Sequence, residues 1–249
     1  MATTIANSVG HNGANNPNDV LAVKTRLVEL GFGFIAADNQ VDQLTIRAIK
    51  LFQAIKSGLT QLDKPGIDGR VDVNGDALKW LQAVNAPRWI QMPAGSTAEG
   101  FVNDNIADLA DKHDFGTDWL AETLRATAAS YKAEHLSAHP GAAILHINDT
   151  SLPEGGDTPA HAEHEAGLQS DLRLPRKDGG VGGTNVSQLS VYDRNAMRAM
   201  IVAFRQQALA TQVFLNDTVL MAEGLSHHAS GHDNHAHFGI KPPHRQMPQ

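Results

Sequence analysis

Two short segments, far apart in the sequence, carry the residue types of a metal site. The residues concerned are His161, His164 and Asp171 in the first segment and His232, His235 and His237 in the second. Imidazole nitrogen and carboxylate oxygen are both good zinc ligands, and a catalytic zinc site keeps three protein ligands so that water can take the fourth position. Two ligands from one segment and one from the other would meet that count. The spacing therefore predicts a catalytic zinc (Zn2+) site.

The composition limits the function classes. The chain has 249 residues, 41% of them hydrophobic, with 13 histidines and no cysteine, and this length favours one or two domains. Without cysteine, a metal must be held by histidine and carboxylate. The formal net charge of −7 argues against a nucleic-acid partner. Neither an apolar run of about eighteen residues nor a Sec-type leader is evident, so no membrane partner is expected.

Three short helices are predicted in residues 1–88. Apolar residues recur at helical spacing over residues 18–30, and a second helix begins near Asp42. A third, shorter helix contains Leu78 and Leu81. We expect the three helices to pack as a small N-terminal bundle.

An acidic loop follows the second helix. The residues Asp72, Asn74 and Asp76 occupy the first, third and fifth positions of a calcium-binding loop. Alanine stands where that loop needs glycine, at Ala77, and where it needs glutamate, at Ala83. A solvated turn is therefore favoured over a calcium site.

The order of features over about residues 8–85 resembles the peptidoglycan-binding domain 1 family. The motifs are Asn-Pro-Asn-Asp-Val-x-x-Val-Lys-x-x-Leu-x-x-Leu-Gly, a helix ending Leu-Phe-Gln, and Gly-Arg-Val-Asp before a last helix. The resemblance implies a three-helix module that anchors the protein to the cell wall. The alternative is a helical domain that only packs on its neighbour. Two prolines and a glycine in residues 85–96 predict a linker over residues 89–96, with a second domain over residues 97–249.

The second domain is predicted to be α+β. Helical patterns occur around residues 102–112, 119–134 and 195–208, and strand patterns occur at 142–147, 168–174, 212–215 and 235–240. Asp171 is then on a strand, and His164 is on the loop that enters it. His235 and His237, two residues apart on a strand, face the same side of the sheet. A lone histidine is more often packed or solvated than a ligand, but two histidine segments with an acid at a fixed offset favour a shared metal site.

The motifs around these histidines resemble the penicillin-insensitive murein endopeptidases. They are Asp-x-Ser-x-Pro-x-Gly-Gly from Asp149, Gly-Leu within the first metal segment, and Gly-His-Asp-x-His-x-His from Gly231. The match spans roughly residues 97–243. These enzymes belong to the LAS metallopeptidases, which include D-Ala-D-Ala peptidases and the hedgehog fold, so the resemblance implies a zinc peptidase domain with a central antiparallel sheet.

The resemblance also implies a role for each residue. Zinc would be held by His164, Asp171 and His237, with His161 as a further candidate ligand. His232 and His235 would be catalytic: His232 as the general base, because Asn234 stands where many relatives have glutamate, and His235 as the group that stabilises the oxyanion. Three departures from the family pattern put the substrate-facing walls in doubt. Glu165 stands where glutamine is usual, Gln169 stands where an acid is usual, and His228-Ala-Ser230 replaces the aromatic residues that normally precede Gly-His-Asp.

The function expected on this basis is zinc-dependent hydrolysis of peptidoglycan stem-peptide cross-links, of the D-Ala to meso-diaminopimelate type. Without a Sec signal, the protein would be made in the cytoplasm and reach the periplasm as a phage endolysin or as an antibacterial effector with a cognate immunity protein. The alternatives are a D,D-carboxypeptidase or an L-alanyl-D-glutamate peptidase on the same zinc core. A non-catalytic, zinc-stabilised wall-binding protein is the alternative outside enzymes.

Overall fold

The computed structural model describes residues 3–108, 110, 112–157, 161 and 163–248. The helices within these ranges are α1 (Pro17–Glu29), α2 (Gln43–Ser57), α3 (Asp76–Leu81), α4 (Asp118–Tyr131), α5 (Arg194–Arg205) and α6 (Thr218–Ala222). A 3-10 turn spans Asp104–Ala107, and a π-helical turn at Lys132–Leu136 continues α4. None of the described helices is both long enough and apolar enough to cross a membrane.

The strands form one large sheet and two small ones. They are β1 (Val9–Gly10), β2 (Arg70–Val71), β3 (Trp89–Gln91), β4 (Gly95–Ser96), β5 (Phe101–Asn103), β6 (Phe115–Thr117), β7 (Leu145–Ile147), β8 (Gln169–Arg173), β9 (Ala210–Phe214) and β10 (His235–Ile240). The large sheet has the order β4-β5-β7-β8-β10-β9, and the pairs β1-β2 and β3-β6 are separate. The predicted α+β class is confirmed.

The large sheet is mixed, so the prediction of a purely antiparallel central sheet is wrong for one pair. Strands β5 and β7 run parallel, whereas the other neighbours in this sheet are antiparallel. Parallel neighbours need a crossover connection. Helix α4, which lies between β5 and β7 in the chain, supplies it.

The N-terminal helices form near their predicted positions but do not make a simple three-helix bundle. Helix α2 starts with a capping box in which the Asp42 side chain accepts from the Thr45 backbone N–H at 2.7 Å, and it ends at Gly58 in the left-handed conformation (φ 68°). The strand pair β1-β2 packs against α1 and α2, and α3 packs on α2. Two-residue strands are too short to leave a period in the sequence, and the prediction missed them.

The predicted linker, residues 89–96, contains strands β3 and β4. Trp89 is 2% exposed, and its ring stacks on Phe32 with 6.2 Å between centroids. Its indole N–H donates to the carbonyl of Pro153 at 2.7 Å. One apolar core therefore continues from α1 and α2 through Trp89 into the large sheet, and this segment is an ordered part of that core.

The helix predicted around residues 102–112 is wrong. The structure has strand β5 and the 3-10 turn there, while residues 109 and 111 lie outside the described residues. Asn103 ends the strand, and its side-chain oxygen accepts from the Asn105 backbone N–H at 3.1 Å. Pairing with β7 decides the local structure here, because β-strand preference depends strongly on the neighbouring strands.

The centre of the large sheet positions the predicted site. Strands β8 and β10 are antiparallel, with Asp171 opposite His237 and Arg173 opposite His235. Alternation puts these four side chains on one face. The other face carries Phe238, whose ring stacks on Phe204 of α5 with 4.3 Å between centroids. Packing of α5 on one face thus fixes which side chains point away from it.

Candidate metal centre

The structure brings all six predicted site residues into one cluster on the free face of β8 and β10. His161, His164 and Asp171 each place one donor atom within 4.8 Å of the others. His164 is 2% exposed and Asp171 is 1% exposed. This largely buried His-His-Asp group could bind a metal ion.

His237 completes a closer triangle of donors. Its Nδ1 lies 3.1 Å from Nε2 of His164 and 3.0 Å from Oδ1 of Asp171, and those two atoms are 3.4 Å apart. Ligands about 2.0–2.1 Å from a tetrahedral ion lie about 3.3 Å from one another. The three side chains therefore have the mutual spacing that ligands of one small ion require.

The charges in the triangle suit a cation. Burial alone would raise the pKa of Asp171, but its hydrogen bonds with His164 and His237 outweigh burial and hold the pKa well below its usual range. Burial also lowers the pKa of His237, which favours the neutral imidazole that a metal ligand must be. The cluster thus offers an ionised carboxylate beside a neutral imidazole.

Hydrogen bonds outside the triangle orient both histidines. Nδ1 of His164 lies 2.7 Å from the carbonyl oxygen of Thr150. Because a carbonyl can only accept, this nitrogen carries a proton, and Nε2 is the atom that faces Asp171. Nε2 hydrogen-bonds the carboxylate when no metal is bound, and as a metal ligand it would present its lone pair in the same direction. On His237 the arrangement is reversed: Nε2 donates to the side-chain oxygen of Gln169, and Nδ1 faces the triangle. Such contacts fix the tautomer and direction of a ligating ring.

Gln169 has a testable part in this arrangement. Its Oε1 also accepts from the side-chain amide of Gln212 at 3.1 Å, so the oxygen is held toward His237. We expect Gln169→Ala to weaken metal binding by about 10- to 100-fold, the usual effect of losing such a partner. The matched variant Gln169→Glu keeps an acceptor and should stay within a few-fold of wild type. Metal affinity measured by chelator competition would show this, and an unchanged affinity for Gln169→Ala would refute the assigned role.

His161 lies between two carboxylates. Its Nε2 is 3.1 Å from Oδ2 of Asp149, and its Nδ1 is 3.4 Å from Oδ2 of Asp171. The hydrogen bond with Asp149 raises the pKa of His161, although burial opposes it. Asp149 also accepts from Asn105 at 3.1 Å and from Asn148 at 2.7 Å. His161 is therefore next to the donor triangle, and its ligation of the metal remains a prediction.

The two predicted catalytic histidines border a cleft of about 530 Å³ that opens over the donors. The ring centroids of His232 and His235 are 4.7 Å apart, and that of His232 is 5.5 Å from that of His237. Phe214 on β9 packs against the rings of His232 and His237 at 5.6 and 5.5 Å. Sequence analysis did not select Phe214, because a single aromatic residue on a strand is usually part of the core.

Local hydrogen bonds orient the two catalytic candidates. Nδ1 of His232 lies 3.0 Å from the carbonyl of Ser230, and Nδ1 of His235 lies 2.8 Å from Oδ1 of Asn234. Both contacts place a proton on Nδ1, so Nε2 is the ring nitrogen of each histidine that is left to act in the cleft. Nε2 of His235 is 3.5 Å from Oδ2 of Asp171. Asn234, noted in the sequence only as a departure from relatives, thus orients His235.

The N-terminal part of the chain holds the segment that carries His161 and His164. The Arg47 guanidinium on α2 donates to the carbonyls of Glu154 and Gly155 at 3.1 and 2.5 Å. After the histidines, the Glu165 carboxylate accepts from the backbone N–H of Leu62 at 2.9 Å in a buried contact. The segment that carries these two histidines is thus tied to the N-terminal helical part on both sides.

The Glu165 contact should stabilise the fold. Removing the acceptor with Glu165→Ala leaves the Leu62 N–H buried without a partner, and we expect a loss of about 1–3 kcal/mol in the free energy of unfolding. Glu165→Gln keeps an acceptor and should lose far less. Chemical denaturation of both variants would test this. Equal stability of the alanine and glutamine variants would show that the contact contributes nothing.

The acidic loop after β2 has no calcium-like arrangement. Asp72 pairs with Arg70 at 2.8 Å, and Asp76 pairs with Lys56 at 2.8 Å and with Arg245. These carboxylates are therefore already neutralised by neighbouring cations. This geometry fits the predicted solvated turn better than a calcium site.

Comparison with known proteins gives no further guide to this centre. No family model and no curated protein matches the chain. The likeness to murein endopeptidases therefore depends on the quoted motifs, and the capacity for metal binding depends on the donor geometry.

Proposed function

We propose that this protein is a zinc-dependent peptidoglycan endopeptidase that hydrolyses stem-peptide cross-links of the D-Ala to meso-diaminopimelate type. The observation that carries the proposal is the buried triangle of His164, Asp171 and His237 at the floor of a cleft. Two further histidines, His232 and His235, stand beside it. Three protein donors with an open side are the arrangement of catalytic rather than structural zinc sites.

The donor set suits zinc. Two imidazoles and one carboxylate, with no thiolate available in a chain without cysteine, match the ligands of known hydrolytic zinc sites. When bound, zinc supplies a Lewis acid that polarises a scissile carbonyl and lowers the pKa of water. The remaining chemistry falls to side chains around the cleft.

His232 is proposed as the general base. Its Nδ1 proton is held by the Ser230 carbonyl at 3.0 Å, so the lone pair on Nε2 is free to take a proton from the attacking water. The same nitrogen then returns the proton to the leaving amine. An imidazole performs both transfers near neutral pH because its pKa lies close to it.

His235 is proposed to stabilise the oxyanion. Asn234 holds its Nδ1 at 2.8 Å, and its Nε2 faces the donor triangle 3.5 Å from Oδ2 of Asp171. Burial lowers the pKa of His235, and the Asp171 carboxylate opposes that shift. The proposed role requires a second ring proton, taken from solvent at Nε2, and this N–H would donate to the negative charge that develops on the scissile carbonyl oxygen. A donor fixed in place before the reaction stabilises that charge most effectively.

The helical N-terminal part is proposed to bind the cell wall, on the strength of its motif resemblance. Binding of peptidoglycan there would concentrate the peptidase on its substrate. Delivery as a phage endolysin predicts a neighbouring holin gene, and delivery as an antibacterial effector predicts an immunity protein that blocks the cleft. As an endolysin or as an effector, the protein would act on the cell wall in the periplasm.

The test is digestion of intact peptidoglycan sacculi by the full chain, before and after chelation and after zinc is restored. We expect zinc-dependent conversion of cross-linked dimers to monomers, separated by chromatography and identified by mass spectrometry. Release of terminal D-alanine would instead indicate a carboxypeptidase, and cleavage after L-alanine would indicate an L-alanyl-D-glutamate peptidase. Unchanged muropeptides with a fully zinc-loaded protein would support the non-catalytic alternative.

A further inference from the structure

Arg173 stands at the edge of the metal centre and has no part in the chemistry described above. It follows Asp171 by two residues on β8, and it lies directly opposite His235 on β10. Alternation along the strands puts all three side chains on the same face. With a rise of about 3.3 Å per residue, Arg173 is one step of about 6.6 Å along the strand from the donor triangle.

One side of the Arg173 guanidinium is anchored. Its Nε donates to Oδ2 of Asp104 at 2.6 Å, and Oδ1 of Asp104 lies 2.9 Å from Nδ1 of His146. This contact uses Nε and sets the direction of the guanidinium plane. Among the described residues, none accepts a hydrogen bond from Nη1 or Nη2 of Arg173.

The terminal nitrogens are accessible. The Arg173 side chain is 42% exposed. Gly182, with a φ of 65°, lies over it, and a Cβ atom there would come to 3.6 Å from Nη1. As a glycine, it places no side chain over the guanidinium.

The described lining of the cleft lacks the lysine or arginine that a carboxylate on the substrate would need. The described residues that line the cleft include two acids, Glu163 and Asp171, but no lysine or arginine. The whole chain is also negative, at −7. The described lining therefore supplies no guanidinium or ammonium group to pair with a substrate carboxylate, and the proposed zinc is committed to the scissile carbonyl. On β8 the next side chain on this face is Arg173.

We propose that Nη1 and Nη2 of Arg173 bind a free carboxylate of the peptide substrate, within about two residues of the scissile bond. This inference rests on the proposed function, since it names the substrate class of the same site. Guanidinium and carboxylate form two parallel charge-assisted hydrogen bonds, which give direction as well as affinity. In a cross-linked stem peptide, the carboxylate that fits is that of diaminopimelate beside the cross-linking amide.

The test compares two cross-linked muropeptide dimers that differ only at this group, one with the free carboxylate and one with its amide. We expect the zinc-loaded wild type to cleave the free acid with a kcat/KM about 10- to 100-fold higher, the range for hydrogen bonds between charged groups. Arg173→Gln should lose this preference and reduce kcat/KM for the free acid only. Arg173→Lys keeps the positive charge but cannot form two parallel hydrogen bonds, so it should retain part of the preference for the free acid.

The controls separate recognition from folding and from zinc binding. Arg198→Gln removes the same charge from α5, where Arg198 pairs with Glu223 at 2.7 Å, and should leave the preference unchanged. Zinc affinity of Arg173→Gln should equal that of wild type. An equal loss on both dimers would assign Arg173 a structural role and overturn the inference.

Failure of the proposed function would be distinguishable. If the zinc-loaded wild type cleaves neither dimer, calorimetric binding of the same two dimers still measures the carboxylate preference. A preference that Arg173→Gln abolishes would support the inference without peptidase activity. Equal affinity of the wild type for the acid and the amide would overturn it.

Discussion

Replacing His164 with alanine is expected to abolish tight zinc binding. Its Nε2 is one corner of the donor triangle, and the Thr150 carbonyl holds the ring so that this nitrogen faces Asp171. Zinc sites in small domains bind with about 10–16 kcal/mol in total, so one of three ligands accounts for about 3–5 kcal/mol. That corresponds to a loss of at least about 100-fold in affinity. His237→Ala should behave in the same way.

The measurement is zinc affinity by chelator competition, with zinc-dependent thermal stabilisation as a second readout. A ligand present at 100 times its Kd stabilises a protein by about 2.7 kcal/mol, and His164→Ala should lose that increment. His244→Ala is the matched control, because His244 is an exposed histidine near the C-terminus. If His164→Ala binds zinc as tightly as the wild type, the donor triangle is not the metal site.

Asp171 extends this prediction to the charged donor. Asp171→Asn keeps the shape of the side chain but removes the charge, and it leaves three histidines around a neutral amide. We expect zinc affinity to fall at least as far as in His164→Ala. His161→Ala distinguishes ligation from support: a loss of about 10- to 100-fold fits a supporting contact, whereas a loss equal to that of His164→Ala would make His161 a ligand.

The core of this site could be predicted because its residues lie on strands with a clear period. The segment from His235 to Ile240 was predicted as a strand and forms β10, and alternation around Asp171 predicted β8. Once both strands are assigned, a two-residue spacing places His235 and His237 on one face. Their pairing with β8 in this register required the structure, because sequence periodicity does not choose the neighbouring strand.

The supporting contacts could not be predicted. The group that fixes His164 is a backbone carbonyl, that of Thr150, and every residue type has one. Gln169 stands out in the sequence only as a difference from the motif that the chain resembles, although its side chain hydrogen-bonds His237. Asp149 belonged to a quoted motif, but its contact with His161 joins segments whose approach only the fold determines.

The packing of the predicted linker could not be read from the sequence for the same reason, because it depends on distant residues. Residues 85–96, with two prolines and a glycine, have the composition of a linker, yet Trp89 is buried between Phe32 and the carbonyl of Pro153. Amino-acid composition indicates which local backbone conformations a segment can adopt, but not whether distant residues pack against it. Burial of a large aromatic side chain against distant residues outweighs this local preference, since such a side chain contributes strongly to the stability of a core.

His232→Ala is expected to separate catalysis from metal binding. The ring lies beside the donor triangle, 5.5 Å from His237 between centroids, but its Nδ1 is engaged by Ser230 and it lies outside the 3.0–3.4 Å triangle. Zinc affinity should therefore remain within a few-fold of wild type. Loss of the proposed general base should lower kcat by about 100- to 10,000-fold, measured as hydrolysis of cross-linked dimers. His235→Ala should also keep zinc and lower kcat by about 100- to 1,000-fold.

Added imidazole distinguishes the two roles. A small base can occupy the space left by His232→Ala and accept the proton, so this variant should regain part of its kcat as imidazole concentration rises. His235→Ala should regain little, because a stabilising donor must be held in a fixed direction by its protein contact, here with Asn234 at 2.8 Å. Zinc loss from His232→Ala would make that residue a ligand and end its assignment as the base. Equal rescue of both variants would end the division of roles, because it would show two exchangeable proton carriers instead of one base and one oriented donor.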